Sequence, residues 1–269
     1  MDARVRNRKK LWMRSEKAMG ISSMRRVEQR TQPEEPGRPK PVRGEDAPAQ
    51  PHDLNQIVSA NTSPPSELFR ATILENIPRS TTAKLKILTD LDANHVRGCI
   101  LCRLCETRTN TVFGEGNVDA KIFFIGEGPG ENEDLQGRPF VGRAGELLNK
   151  MIVAMGLQRE QVYIANIVKC RPPGNRAPAP DEVAACTPFL EKQLETIQPK
   201  VIVTLGLPAM QYMLQNKSSM GKVRGQWHEW RGIKLMPTYH PAYVLRSYTP
   251  EVRATVWGDL KKVMTEIAP

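Results

Sequence analysis

The stretch Ile122-Phe-Phe-Ile-Gly126-Glu127-Gly128-Pro129-Gly130-Glu131-Asn132-Glu133-Asp134-Leu-Gln-Gly137-Arg138-Pro139-Phe140-Val141-Gly142 decides the fold. A short apolar run stops at Gly126 and gives way to glycine, proline and carboxylates. A helical pattern follows over residues 142–155, with Leu147, Leu148, Met151, Ile152 and Met155 on one side. Strand, stiff acidic loop, then helix is how a parallel sheet presents chemistry at the carboxyl end of a strand.

The flanking chain repeats the alternation. Val162–Val168 is an almost continuous apolar run, as a strand covered on both faces requires. Residues 170–180 hold four prolines, which remove donors and bar regular structure. A helix is expected from Asp181 to Ile197, a third strand at Val201–Leu205, and a hairpin in 221–237 turning at Arg231-Gly232. Upstream, Leu85, Ile87, Leu88, Leu91 and Val96 recur near helical spacing behind the capping candidates Ser80, Thr81 and Thr82. A closing amphipathic helix spans Val252–Ile267. The expected fold class is α/β, a three-layer α/β/α sandwich around a central, mostly parallel four-stranded sheet.

The net charge of +10 fits a polyanionic partner. Its location matters: residues 1–50 carry thirteen Lys/Arg against seven Asp/Glu, and residues 96–269 carry twenty-two against seventeen. The folded part is therefore only mildly basic. Residues 1–80 read as a basic, weakly ordered extension with a short helical pattern at Leu11–Met24, and residues 81–269 as the folded domain. No apolar run is long enough to cross a bilayer, and the basic start lacks the apolar stretch of a secretory signal. The expectation is a cytoplasmic protein, with no membrane partner.

Five cysteines in a reducing compartment do not form a disulfide framework. Cys99-x2-Cys102 lets two thiolates converge, and Cys170 and Cys186 can join them if the proline-rich loop folds back. Four thiolates suit zinc or an iron–sulfur cluster; the lack of a second short C-x-x-C leans toward the cluster. Cys102-x2-Cys105 is an equally valid spacing, and spacing alone does not choose between the pairs.

The motifs Cys99-x2-Cys102-x-Leu104-x3-Arg108-Thr109, Phe113-Gly-Glu-Gly-Asn117, Gly126-Glu-Gly-Pro-Gly-Glu-x-Glu-Asp134, Gly137-Arg-Pro-Phe-Val-Gly142, Asn166-x2-Lys-Cys-Arg-Pro-Pro173 and His240-Pro-Ala-Tyr-x-Leu-Arg246 occur in one order over residues 95–267. In that order and spacing the chain resembles the family 4 uracil-DNA glycosylases, which carry a 4Fe–4S cluster. The resemblance implies excision of uracil from single- or double-stranded DNA, with free uracil and an abasic site as products, by a monomeric bacterial enzyme of the cytoplasm or nucleoid. It implies cluster ligands Cys99, Cys102, Cys170 and Cys186, with Cys105 as an extra. A non-catalytic iron–sulfur protein that binds nucleic acid on the same fold is the alternative.

Such an enzyme must flip the nucleotide into a pocket. Phe140 is the expected ring platform. Asn166, polar within an apolar strand, can donate to uracil O4 and accept from N3–H, whereas cytosine offers the reversed pattern. Glu127, Gly128 and Pro129 are expected to line the pocket through their backbone. The resemblance assigns His240 to the charge developing on O2. Glu127 and Glu133 are both candidates to orient the water or stabilise the sugar cation. Leu245 is the expected wedge into the DNA, with Arg246 beside it, and Arg171, Arg176, Lys222 and Arg224 are expected phosphate contacts. A related group that bonds covalently to its DNA has a basic, His-containing insertion after the second strand; residues 171–180 hold no histidine, so turnover is expected.

Overall fold

The computed structural model describes residues 80–268. The expected N-terminal extension, and the helical pattern at Leu11–Met24, lie outside the described residues. Six strands form one sheet: β1 (Glu115–Gly116), β2 (Ile122–Gly126), β3 (Tyr163–Asn166), β4 (Val201–Leu205), β5 (His228–Trp230) and β6 (Ile233–Thr238). Their order is β1-β3-β2-β4-β6-β5. The inner four are parallel, and β1 and β5 add antiparallel edges. The expected four-stranded sheet is thus its parallel centre. The edge strand β5 belongs to the hairpin expected in 221–237, whereas the two-residue β1 leaves no alternation to read.

Helices α1 (Thr81–Leu91), α2 (Glu131–Gln136), α3 (Arg143–Ala154), α4 (Pro180–Ile197), α5 (Leu207–Leu214), α6 (Met220–Val223), α7 (Pro241–Arg246) and α8 (Pro250–Ile267) complete the fold. Side chains alternate across a strand, and both faces are covered. Ile122, Phe124, Val201 and Val203 face α3 and α8, meeting Leu148, Ile152, Leu260 and Val263. Phe123, Ile125 and Ile202 face α4 and α5, meeting Leu190, Leu194, Ala209 and Met213. This double burial explains why β2 reads as an apolar run and β4 as one interrupted only by Thr204.

Two expectations are corrected. β3 ends at Asn166, short of Val168: the chain bends there, although Ile167 and Val168 still donate to the Gly126 and Glu127 carbonyls at 3.0 and 3.2 Å. On α1, Leu88 is buried but Leu85 is 56% exposed, because the helix docks by a narrower stripe than its apolar residues suggest. Among the described residues, no helix is long and apolar enough to cross a membrane.

Candidate active site

Because β2, β3, β4 and β6 are parallel, Gly126, Asn166, Leu205 and Thr238 all end on one edge of the sheet. Ligands of open α/β sheets bind outside that edge, where the strand order reverses. A pocket of about 640 Å³ lies there. It is lined by Glu127, Gly128, Pro129, Phe140, Asn166 and His240, so every residue expected to read the base reaches one cavity.

Phe140 is brought in by unusual backbone. Its φ is +51°, a conformation that non-glycine residues rarely adopt. Two glycines make room. A Cβ at Gly126 would lie 2.6 Å from the Phe140 ring and 2.3 Å from Asn166 Oδ1, and one at Gly145 would sit 1.8 Å from the Phe140 carbonyl oxygen. Arg159 then holds the turn: its guanidinium donates to the carbonyls of Pro139 and Phe140, to Asn149 Oδ1 at 2.7 Å and to Glu115 at 2.7 Å. Sequence reasoning missed Arg159. Glu115 carried a signal, between the two glycines of Gly114-Glu-Gly116; an isolated arginine in a turn carries none.

The two acidic-loop carboxylates differ. Glu133, on α2, accepts from the backbone N–H groups of Gly130 (3.1 Å), Val141 (2.9 Å) and Gly142 (2.8 Å). It closes the loop on itself. Glu127 follows β2 directly and lines the pocket, and burial alone pushes its carboxyl above the ordinary range. Asp134 is buried beneath the loop and accepts from the Thr109 and Asn110 N–H groups, which gives the neighbouring Arg108-Thr109 motif its meaning.

Asn166 Oδ1 is buried with no hydrogen-bond partner. An unpaired buried acceptor costs about 1–3 kcal/mol, and this one adjoins the cavity. His240 caps α7. Its Nδ1 accepts from the Ala242 N–H at 3.1 Å, which leaves the proton on Nε2. Burial, reinforced by the Arg246 charge, pushes its pKa down to about 4. The ring is therefore a neutral donor at neutral pH, 5.6 Å from the Phe140 ring between centroids.

The four expected ligands Cys99, Cys102, Cys170 and Cys186 line a second, small void with Lys169, Arg108 and Phe189, and Cys105 is not among its lining residues. The Lys169 N–H donates to Cys186 Sγ at 3.1 Å and Arg108 donates to Cys170 Sγ at 3.2 Å. Burial pushes the Cys186 thiol up to about 12, Cys170 and Cys102 adding to the rise. Buried Glu182 accepts from Arg103, Arg176 and the Ala179 N–H, tying the first cysteine loop to the proline-rich loop; the Arg176 pair is the first cause holding its pKa down near 2. Among the described residues, no three His, Cys, Asp or Glu side chains converge on a single-ion position.

The expected DNA contacts divide. Lys222 and Arg246 are exposed. Arg224 is bound to Asp259 at 2.8 Å, Arg176 to Glu182 at 2.6 Å, and Arg171 to Asn175 at 2.8 Å with Glu131 at 3.7 Å. Leu245 is half-buried and packs against the core, because α7 turns it inward with Val244. Tyr243, unforeseen, is the α7 side chain that faces outward with Arg246 and lines the pocket.

The fold and pocket define a class: a model of the uracil DNA glycosylase superfamily matches residues 113–261. The chain is 50% identical over 182 residues to a type-4 uracil-DNA glycosylase of Thermotoga maritima, covering 67% of this chain and 95% of that protein. It is 49% identical over 183 residues to a type-4 uracil-DNA glycosylase of Saccharolobus solfataricus, covering 65% of this chain and 84% of that one. The chain belongs to the type-4 uracil-DNA glycosylases.

Proposed function

We propose that this enzyme flips uracil out of DNA and hydrolyses its N-glycosidic bond, releasing free uracil and leaving an abasic site. The observation that carries the reading is the convergence of an unpaired amide oxygen, a neutral Nε2–H donor, a desolvated carboxylate and a buried aromatic ring on one cavity. Phe140 stacks on the ring. Asn166 Oδ1 accepts from N3–H and its amide nitrogen donates to O4. As C1′–N1 breaks, its electron pair passes to the uracil, and the charge arriving at O2 meets the Nε2–H of His240. Glu127 orients a water whose oxygen bonds to C1′, and takes the water's proton before passing it to solvent. Glu133 serves as a positioning residue, since its oxygens already hold three backbone donors.

The same reading gives Cys99, Cys102, Cys170 and Cys186 a 4Fe–4S cluster. Four thiols lining one void support a shared metal group, and four thiolates are the ligand set of a cluster. Bound there, the cluster pins the two cysteine loops and supplies no step in hydrolysis. The enzyme acts as a monomer in a cytoplasm reducing enough to keep the thiols free.

Incubation with an oligonucleotide bearing one uracil, followed by alkali, tests the activity. Strand scission at the uracil is expected. No scission, while a control enzyme cuts the same DNA, would sink the reading. Anaerobically purified protein should be brown and hold about four irons; a colourless protein with stoichiometric zinc overturns the cluster.

A further inference from the structure

The pocket does not end at the base-reading residues. On its outer side it is lined by Tyr239, Tyr243 and Arg246. Tyr243 is 37% exposed, on the face of α7 that it shares with Arg246 three residues on. Its ring lies 4.8 Å from that of Tyr239, centroid to centroid. Tyr239 is in turn covered by the Arg224 guanidinium, 5.5 Å from its ring centre, and Arg224 is fixed by both oxygens of Asp259. Asp259 also takes the Thr238 hydroxyl at 2.8 Å, at the end of β6. A guanidinium, a buttressing ring and an exposed ring tilted 35° to it thus stand in a row, anchored to the sheet beside the cavity. The exposed part of the Tyr243 ring is aromatic surface to which every nucleobase offers a face.

We propose that Tyr243, backed by Tyr239 and Arg224, is a stacking subsite for the nucleobase next to the flipped uracil on the same strand. This rests on the uracil-excision reading. Turning a nucleotide out leaves its neighbour with one bare face. Tyr243 covers that face while the uracil sits against Phe140, and the exposed Arg246 beside it is placed for the intervening phosphate. The half-buried Leu245 is left to pack the underside of α7.

The test is a cycle between the ring and the neighbouring base. The kcat/KM for uracil excision is measured on single-stranded oligonucleotides whose 5′ or 3′ neighbour is a normal nucleotide or a tetrahydrofuran abasic unit, with wild type, Tyr243→Ala and Tyr243→Phe. Wild type should lose about tenfold when the base is removed on one of the two sides. Tyr243→Ala should be about tenfold slower on the intact strand and lose nothing further on that side, and Tyr243→Phe should follow wild type. Equal sensitivity of Tyr243→Ala and wild type on both sides overturns the subsite, as does a wild type that excises uracil with no sensitivity to either neighbour. A wild type inactive on every strand would instead remove the parent reading, and the subsite with it. Melting curves of both variants separate a folding defect, which slows all substrates alike, from the loss of coupling.

Discussion

The base pocket and the cysteine corner stand at the two ends of one segment, residues 166–170, and treat polar atoms in opposite ways. At the pocket end, Asn166 Oδ1 has no partner and Glu127 is desolvated with its carboxyl pushed up. At the other end, donors already point at sulfur, from the Lys169 N–H to Cys186 and from Arg108 to Cys170. Lys169 bridges the two, its ammonium donating to the Asn166 carbonyl at 3.0 Å and to Gln193 at 2.7 Å. At the pocket end the polar atoms await a partner, and at the cysteine end they already have one. Catalytic sites tolerate such local instability because the surrounding fold maintains it.

The largest expected effects break the comparison if they fall on the wrong side. His240→Ala or Asn166→Ala should lower kcat/KM for uracil excision by about 100- to 1000-fold, and Asn166→Ala, which removes an unpaired buried acceptor, should hold or raise the melting temperature. Cys186→Ser should do the reverse, lowering the melting temperature by several degrees, with activity lost chiefly through unfolding. A Cys186→Ser protein as stable as wild type but inactive would mean that the cysteine corner is a working part of the site. Next comes Gly126→Ala, which pushes a methyl group toward both Phe140 and Asn166. A displacement of this kind costs about 100-fold in rate, while β2 remains paired on both sides, so circular dichroism should be unchanged.

The acidic loop repeats the contrast within a few residues. Folding raises the Glu127 pKa. As pH rises through its ordinary value, the unfolded chain releases this proton first, so stability falls and stays lower above the folded value. Glu127→Gln should therefore abolish most activity yet raise the melting temperature at neutral pH. Glu133→Gln replaces a carboxylate oxygen by an NH2 group facing backbone donors. It should cost about 1–3 kcal/mol, a fall of roughly 2–10 °C, and slow excision by a smaller factor. Identical behaviour of the two variants, in melting and in rate, would erase the distinction between them.

How much of this was legible follows from the range of each signal. The parallel centre of the sheet was readable because double burial writes itself as apolar runs, as in Val201–Leu205. The pocket residues were readable because Glu127 and Asn166 stand at strand ends, where the chain must change character. Distances across the sheet were not: nothing in the sequence says that Arg159 reaches back to the carbonyls of Pro139 and Phe140, or that Gly145 must be bare to admit Phe140. Which side of α7 Leu245 takes was not legible for a related reason. In a six-residue helix, a register error of one residue exchanges Leu245 for its neighbours, and only packing against the core settles which side turns in. Arg176 and Arg224 are expected phosphate contacts, and their pairing with Glu182 and Asp259, 6 and 35 residues away, was not legible in the sequence.

The smallest effect sharpens the assignment of protons within the pocket. His240 has its pKa pushed down to about 4, burial being the first cause. Because its folded value is depressed, it contributes stability that is complete above its ordinary value near 6.5 and is lost as pH falls toward 4. Through that interval the folded enzyme keeps the ring neutral, with Nδ1 occupied by the Ala242 N–H and Nε2–H free to donate. The pH profile of kcat/KM should therefore carry no limb from His240 between pH 8 and 6.5. One acid limb should appear, above the usual carboxylate value of about 4.5, as Glu127 takes up the proton that prevents it from orienting water. In His240→Gln the residual activity should keep this limb, since the limb belongs to the carboxyl. In Glu127→Gln it should disappear. A limb centred near 6.5 that vanishes with His240→Gln would place a titrating imidazole in the rate-determining protonation, and the neutral-donor assignment would fall.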